Sequence, residues 1–265
     1  MNNISKLAFV DPDAKLGDNI TIDAFAFIDK NVVIGDGCHI RAHTSVLSGT
    51  VMGKNNIVYE GAVIGAVPQD FRWDGSDTKC IIGDNNQIRE HVIINRGISA
   101  GNSTEIGSNS FIMAQTHVGH DSKIGNYCVA GNACKIAGNC RVEDFTILSS
   151  AVTLHENSRV GKWCLIKGGC RIGGNVPPFV VMAHNPANYY GVNAYVLRKG
   201  KFTDDAVDDI AKCYRHLYQS NTSPLNAIIR ITEDVKDSEE RRAILAFLKE
   251  CDNKVVGLPF EEEEY

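Results

Sequence analysis

Isoleucine or valine followed by glycine recurs at positions 34, 64, 82, 106, 118, 124, 160 and 172, and every interval is a multiple of six. Extending this frame from Ile4 to Ile172 gives 29 positions, of which 27 hold Ile, Val, Leu, Met or Ala. The two exceptions, Asp70 and Ser76, are consecutive members of the series. Two residues before these positions the side chain is usually small, as at Ala14, Ala26, Thr44, Ala62, Thr104, Thr116, Ser122 and Thr146. A period of six suits neither an α-helix nor a lone strand. It marks a hexapeptide β-helix, in which one aliphatic and one small side chain per hexad point inward and stack on those of adjoining coils.

The pattern resembles the left-handed parallel β-helices, where three hexads complete a triangular coil of about 18 residues. The handedness rests on that resemblance, because parallel crossovers are ordinarily right-handed. Two stretches interrupt the rhythm. Residues 68–79, PQDFRWDGSDTK, read as a loop ejected from a coil, and residues 97–104, GISAGNST, as a smaller excursion. Long loops on a rigid scaffold often carry function. VPP at 176–178 closes the repeat.

Beyond about residue 200 the spacing becomes helical. Thr203 is an N-cap followed by acidic residues, and Val207, Ile210, Ala211, Tyr214, Leu217 and Tyr218 share one face. Pro224 suits the first turn of a second helix, and Ser238 with Glu239 and Glu240 opens a third containing Ile244, Leu245 and Leu248. The expected fold is mainly β: a left-handed parallel β-helix over residues 1–190, with an ejected loop near 68–79, and a C-terminal α-helical domain over 191–265. The closing EEEEY reads as a solvated tail.

Composition narrows the classes. A net charge of −5 and a pI near 5.9 disfavour a nucleic-acid binder, which would carry a basic excess. The opening MNNISKLAFVDPDAK lacks the apolar stretch of a signal peptide, and no run approaches the roughly 18 residues of a membrane span. A cytoplasmic protein without integral membrane contact is expected. Seven of the nine cysteines, Cys38, Cys80, Cys128, Cys134, Cys140, Cys164 and Cys170, fall on the small inward phase. They read as buried apolar groups, neither metal ligands nor disulfides.

THVGHD, residues 116–121, raises the chemistry. With Val118 inward, His117 and His120 take outward phases. They suit exposed turn histidines, a zinc site needing a third ligand, or a catalytic base. The γ-class carbonic anhydrases resemble the zinc arrangement but space their histidines more widely. Coil arithmetic adds a constraint: Gly138 follows His120 by 18 residues and Glu156 follows Gly138 by 18, so the three stack at one corner, about 4.8 Å apart. A histidine beneath a glycine amide suits a base beside an oxyanion donor. Asp121 is placed to orient the imidazole.

THVGHD, IAGNCRVEDF, VPP and YYGVNAYVLRKGKF, together with AVPQDFRW and GDNNQIREHVIINRG, resemble the UDP-N-acetylglucosamine O-acyltransferases, which open lipid A synthesis. The likeness spans essentially the whole chain. It implies that His120 is the general base for the sugar 3-hydroxyl, assisted by Asp121, and that the Gly138 amide is the oxyanion donor. It makes His117 a sugar-positioning residue and Gln69, Asp70 and Arg72 substrate contacts. By the same likeness His155 and Glu156 lie near the nucleotide sugar, Asn193 and Lys199 contact the nucleotide side, and Gly168 leaves room for a long acyl chain.

The implied donor is a (3-hydroxy)acyl thioester on the phosphopantetheine of acyl carrier protein, with no metal or resident cofactor, and the implied assembly is a homotrimer. Arg198, Lys199 and Lys201 are candidates for a basic patch facing the acidic carrier. An ordinary imidazole, with a pKa of about 6.5, accepts a proton at neutral pH.

The chain departs from the best-known members at Asn139 (histidine there), Glu156 (glutamine), Tyr195 (glutamate) and Gly200 (the second of an arginine pair). Rival readings are the N-acyltransferase that acts later in the pathway, an acetyl-CoA-dependent hexapeptide acetyltransferase, and a non-catalytic hexapeptide scaffold. The N-acyltransferase carries an N-terminal uridine-binding domain, whereas the hexads here begin at Ile4.

Overall fold

A computed structural model describes residues 1–220, 222–251 and 255–258, so the acidic tail expected at 261–265 lies outside the described residues. Short strands begin at Asn3–Ile4, Phe9–Val10 and Lys15–Leu16 and recur at the six-residue period. They form three sheets of 11, 9 and 9 strands, each taking every third strand of the chain, and the largest ends with one further strand, Asn188–Val192. Thr21 lies beside His39 and Lys123 beside Arg141, each pair parallel and eighteen residues apart. The fold is a three-sided, left-handed parallel β-helix with helices toward the C-terminus.

The aliphatic phase fills the interior: Ile22, Ile28, Ile34 and Ile40 are all at most 1% exposed. Ile4, in the first coil, is 39% exposed because none of the described residues stacks beneath it. On the small phase every cysteine is buried. Hydroxyls there do not stay unpaired. Thr116, Ser122 and Thr146 each donate to the carbonyl fifteen residues on, at 2.9, 2.7 and 2.8 Å. A buried hydroxyl satisfied in this way avoids its desolvation penalty.

Most corners turn through one residue in the left-handed region, at the same phase of the hexad. Asn55, Asn85, Asn109, Asp121 and Asn139 have φ between 56° and 58°. Asn and Asp tolerate this conformation better than other side chains. Tyr127, Phe145 and Trp163 also adopt it, at 55°, 59° and 61°. Their rings stack in a ladder, with centroids 4.9 and 4.2 Å apart, and that stacking offsets the backbone strain.

Two excursions stretch the register. The spacing rises to thirty residues at Ile57 and Gln87, and to twenty-four at Ile93 and His117. The coil resumes at Lys79, which pairs with Ser103, so the first loop ends at Thr78 and the second at Asn102; Thr104 belongs to the core. These are slightly shorter excursions than the residue types suggest. The first is pinned at its base, where the Asn95 amide donates to the Val67 carbonyl at 2.8 Å and the Arg96 guanidinium lies 5.4 Å from the Trp73 ring.

The coils end in a hairpin absent from the sequence reading: Val180–Ala183 pairs antiparallel with Asn188–Val192. Helix α1 (Ala194–Lys199) follows, also unforeseen. Then come α2 (Asp204–Tyr218), α3 (Pro224–Asp234) and α4 (Glu239–Glu250), capped by the Thr203, Ser223 and Ser238 side chains. Buried Tyr214 donates its hydroxyl to the Pro178 carbonyl, and Arg159 bridges Glu143 and Glu250. These contacts join α2 and α4 to the last coils.

Candidate active site

One face of the prism carries strands Ile93–Asn95, His117–Val118, Lys135–Ile136 and Thr153–Leu154 in parallel register. The loop ending at Thr78 folds over this face. Between them lies a cleft of about 500 Å³ lined by Gln69, Asp70, His117, His120, Gly138 and Glu156. A second cleft, of about 590 Å³, follows the face of Glu105, Lys123, Arg141 and Glu143. It contains paired charges and no histidine, so the chemistry concentrates in the first.

His120 is 6% exposed. Its Nδ1 lies 2.8 Å from Asp121 Oδ2. The left-handed φ of Asp121 turns that carboxylate back toward the preceding ring. An ionised carboxylate only accepts, so this contact favours a proton on Nδ1 and leaves Nε2 facing the cleft. Above the ring, an added Cβ on Gly138 would stand 2.5 Å from Nε2, which means that the bare Cα packs on the imidazole.

The Gly138 amide donates to no protein acceptor among the described residues. It looks across at Gly119, where a Cβ would come within 2.7 Å of the Gly138 nitrogen. Two glycines thus leave a polar N–H open beside the imidazole.

The ejected loop completes the site. Asp70 Oδ2 approaches His120 Nε2 to 3.4 Å. Arg72 grips Asp70 through Nε at 3.0 Å and a terminal nitrogen at 2.7 Å, then reaches Glu156 at 2.9 Å. The Asn139 amide also donates to Glu156, at 3.3 Å. The charge of Glu156 therefore faces donors. Arg72, before any other neighbour, holds the Asp70 carboxyl well below the usual carboxylate range and lowers Glu156 as well. Burial pushes the His117 imidazole down, keeping it neutral at pH 7.

Other expected site residues stand apart from this cleft within the chain. His155 is exposed, and its carbonyl accepts from Cys140 Sγ. Asn193 is 3% exposed, with its amide committed to the Trp163 carbonyl at 2.9 Å. The Lys199 ammonium rests 4.6 Å from the Tyr195 ring centroid, and Arg198 is paired with Asp204 at 2.8 Å. Gly168 occupies an exposed corner just before Arg171, whose strand continues the cleft face beyond Thr153.

The cleft also includes Asn95, Lys135 and Thr153, which the sequence reading missed. Lys135 and Thr153 follow His117 by one and two coils. The coil arithmetic applied to His120 would have found them had it been applied to His117.

Comparison with known proteins identifies the family. A family model described as UDP-N-acetylglucosamine O-acyltransferase, domain 2, matches residues 175–256, and a bacterial transferase hexapeptide model matches 103–138. An acyl-[acyl-carrier-protein]–UDP-N-acetylglucosamine O-acyltransferase of Aliarcobacter butzleri is 37% identical over 99% of this chain and 100% of its own length. A Stenotrophomonas maltophilia protein of the same name is 33% identical over 96% of this chain and 97% of its own. The crystal structure of a UDP-N-acetylglucosamine acyltransferase from Bacteroides fragilis superposes with a TM-score of 0.93 at 39% identity, covering 95% of this chain and 99% of that one. The chain belongs to the acyl-[acyl-carrier-protein]–UDP-N-acetylglucosamine O-acyltransferase family.

Proposed function

We propose that this enzyme moves a (3-hydroxy)fatty acyl group from acyl carrier protein to the 3-hydroxyl of UDP-N-acetylglucosamine, the first step of lipid A synthesis, with His120 as general base. One observation carries the mechanism: a buried imidazole held on one side by Asp121, with an uncommitted main-chain amide beside its other nitrogen. The sugar hydroxyl enters at Nε2, on the side that Asp70 now covers. Nε2 takes the hydroxyl proton as the oxygen attacks the thioester carbonyl. The negative charge moves to the carbonyl oxygen, where the Gly138 N–H stabilises it. Collapse breaks the C–S bond, and the imidazolium returns its proton to the departing phosphopantetheine thiolate. Asp121 stabilises the charged ring between these two transfers.

Neutral His117, Gln69, Asp70 and Arg72 suit polar contacts to the sugar. His155, Asn193 and Lys199 stand outside the single-chain cleft, and we assign them to the nucleotide end of a site walled by a neighbouring copy in a homotrimer. Gly168, on the corner along which the cleft face continues, fits the far end of a long acyl groove. Among the described residues no helix is long and apolar enough to cross a membrane. The reading places the enzyme in the cytoplasm, where acyl carrier protein is available.

The direct test is incubation with UDP-N-acetylglucosamine and hydroxyacyl carrier proteins of several chain lengths, followed by mass spectrometry of the nucleotide sugar. Acylated sugar from the carrier-bound donors is expected, with preference for long chains. Transfer from acetyl-CoA alone would support the acetyltransferase alternative, and no transfer from any donor the scaffold.

Arg72 ties the loop to the coil through Asp70 and Glu156, and both Arg72 and Glu156 are substantially solvated. Arg72→Gln is expected to raise the KM for the nucleotide sugar several-fold, with little change in thermal stability, since exposed ion pairs contribute weakly to folding. Steady-state kinetics at low and high salt checks this. The wild-type KM should rise with salt, and the variant's should respond less.

A further inference from the structure

Corner residues of this β-helix normally donate their amide to a carbonyl of the coil beneath. Tyr127 donates to Ser108, Ala133 to Ala114, Asn139 to His120 and Phe145 to Asn126, each at 2.9 Å. Asp121 differs. Its amide donates to the side-chain hydroxyl of Thr104 at 2.8 Å. The cause lies in the second excursion: the extra hexad at 97–102 leaves the coil just where the corner carbonyl would otherwise stand. That excursion also sends the Ile98 amide to the Asp121 carboxylate, at 3.3 and 3.4 Å from its two oxygens.

Thr104 is fully buried in the strand Ser103–Ile106. Its counterparts Ser122 and Thr146 accept from the amide eighteen residues on, Cys140 and Cys164. Thr104 accepts instead from the residue seventeen on, which is Asp121. This interior hydroxyl thus serves the corner that holds the imidazole.

We propose that Thr104, aided by the Ile98 amide, is a positioning residue for the transfer reaction. It fixes the backbone of Asp121, and through it the carboxylate that sets the tautomer and orientation of His120. The inference rests on the reading of His120 as the base. Thr104 does not touch substrate and acts only through Asp121. A hydrogen bond to the main chain of a left-handed residue constrains where its carboxylate points, and small displacements of a base weaken proton transfer strongly.

The test is Thr104→Val in the full-length enzyme, a substitution that keeps the buried shape and removes the acceptor. We expect kcat to fall at least tenfold, with KM for both substrates within about twofold, because the defect lies in the transition state. The pH–rate profile should also differ from that of the wild type, because the contact between the ring and Asp121 is loosened. The other charged groups near the ring, Asp70 with Arg72 and Glu156 behind it, are untouched by this change. Thr104→Ser should restore kcat to within about threefold, and Thr104→Val should add little to the effect of Asp121→Ala.

A lowered melting temperature with wild-type kcat and pH profile would make Thr104 merely structural and overturn the proposal. His120→Ala, assayed alongside, separates the two readings. If it retains full turnover the base assignment itself fails. If it is inactive while Thr104→Val is unimpaired, only the positioning role fails.

Discussion

His120→Ala lowers kcat by about 10²–10⁴-fold, the usual contribution of a general base, and abolishes the rising limb of the pH–rate profile. The imidazole is the group in the cleft that combines a carboxylate partner at one nitrogen with a second nitrogen facing the cleft. Without it, the sugar hydroxyl must lose its proton to water while it attacks. Some rate above background should survive, because the Gly138 amide and the binding contacts remain. The fold should survive too. The ring belongs to a corner and not to the inward columns, so the melting temperature should move by no more than about 2–4 °C. Single-turnover kinetics with preloaded carrier protein, alongside calorimetry, measures both quantities. An unaltered single-turnover rate would remove His120 from the chemistry.

Gly138→Ala should produce a comparable loss for a different reason. The added methyl would lie 2.5 Å from Nε2 and 2.6 Å from Cε1 of His120. The glycine is not in the left-handed region, so the backbone accepts alanine and the conflict is with the ring alone. The ring cannot retreat without leaving Asp121, so kcat should fall about 10²–10³-fold, similar to loss of an oxyanion donor, although the amide is still present. The double variant His120→Ala, Gly138→Ala distinguishes the causes. If the methyl acts by displacing the base, the double variant should be hardly slower than His120→Ala and should regain any lost thermal stability. A further large loss in the double variant would mean that the methyl damages the amide itself.

The closeness of His120 and Gly138 was legible in advance because the eighteen-residue coil runs unbroken between them. Once a hexad period is established, any two outward residues one coil apart become neighbours. The approach of Asp70 to His120 obeys no such rule. The loop ending at Thr78 has no period, and its path is set by Asn95, Arg96 and the Arg72 ion pairs, which depend on three-dimensional placement.

The surroundings of Asn193 were hidden for a related reason. As a polar residue in a recognisable motif it suggested a ligand contact. In the folded chain its amide lies on the Trp163 carbonyl where the hairpin passes into α1, an element too short to announce itself by helical spacing. The left-handed corners carried a signal that went unread. Asn recurs at their phase, but Tyr127, Phe145 and Trp163 share it and obscure the trend.

The two excursions carry a lesson about how such a molecule tolerates change. Relative to the ordinary coil they add twelve and six residues, whole hexads in both cases. The facets therefore return to alignment on the far side, with Ile88 still beneath Ile112 and Ile94 beneath Val118. Splicing one or five residues into a corner would instead rotate every later side chain out of phase, trading buried aliphatics for exposed turn residues through the rest of the prism. Natural length variation in this scaffold should be quantised in sixes wherever a loop does not absorb the remainder.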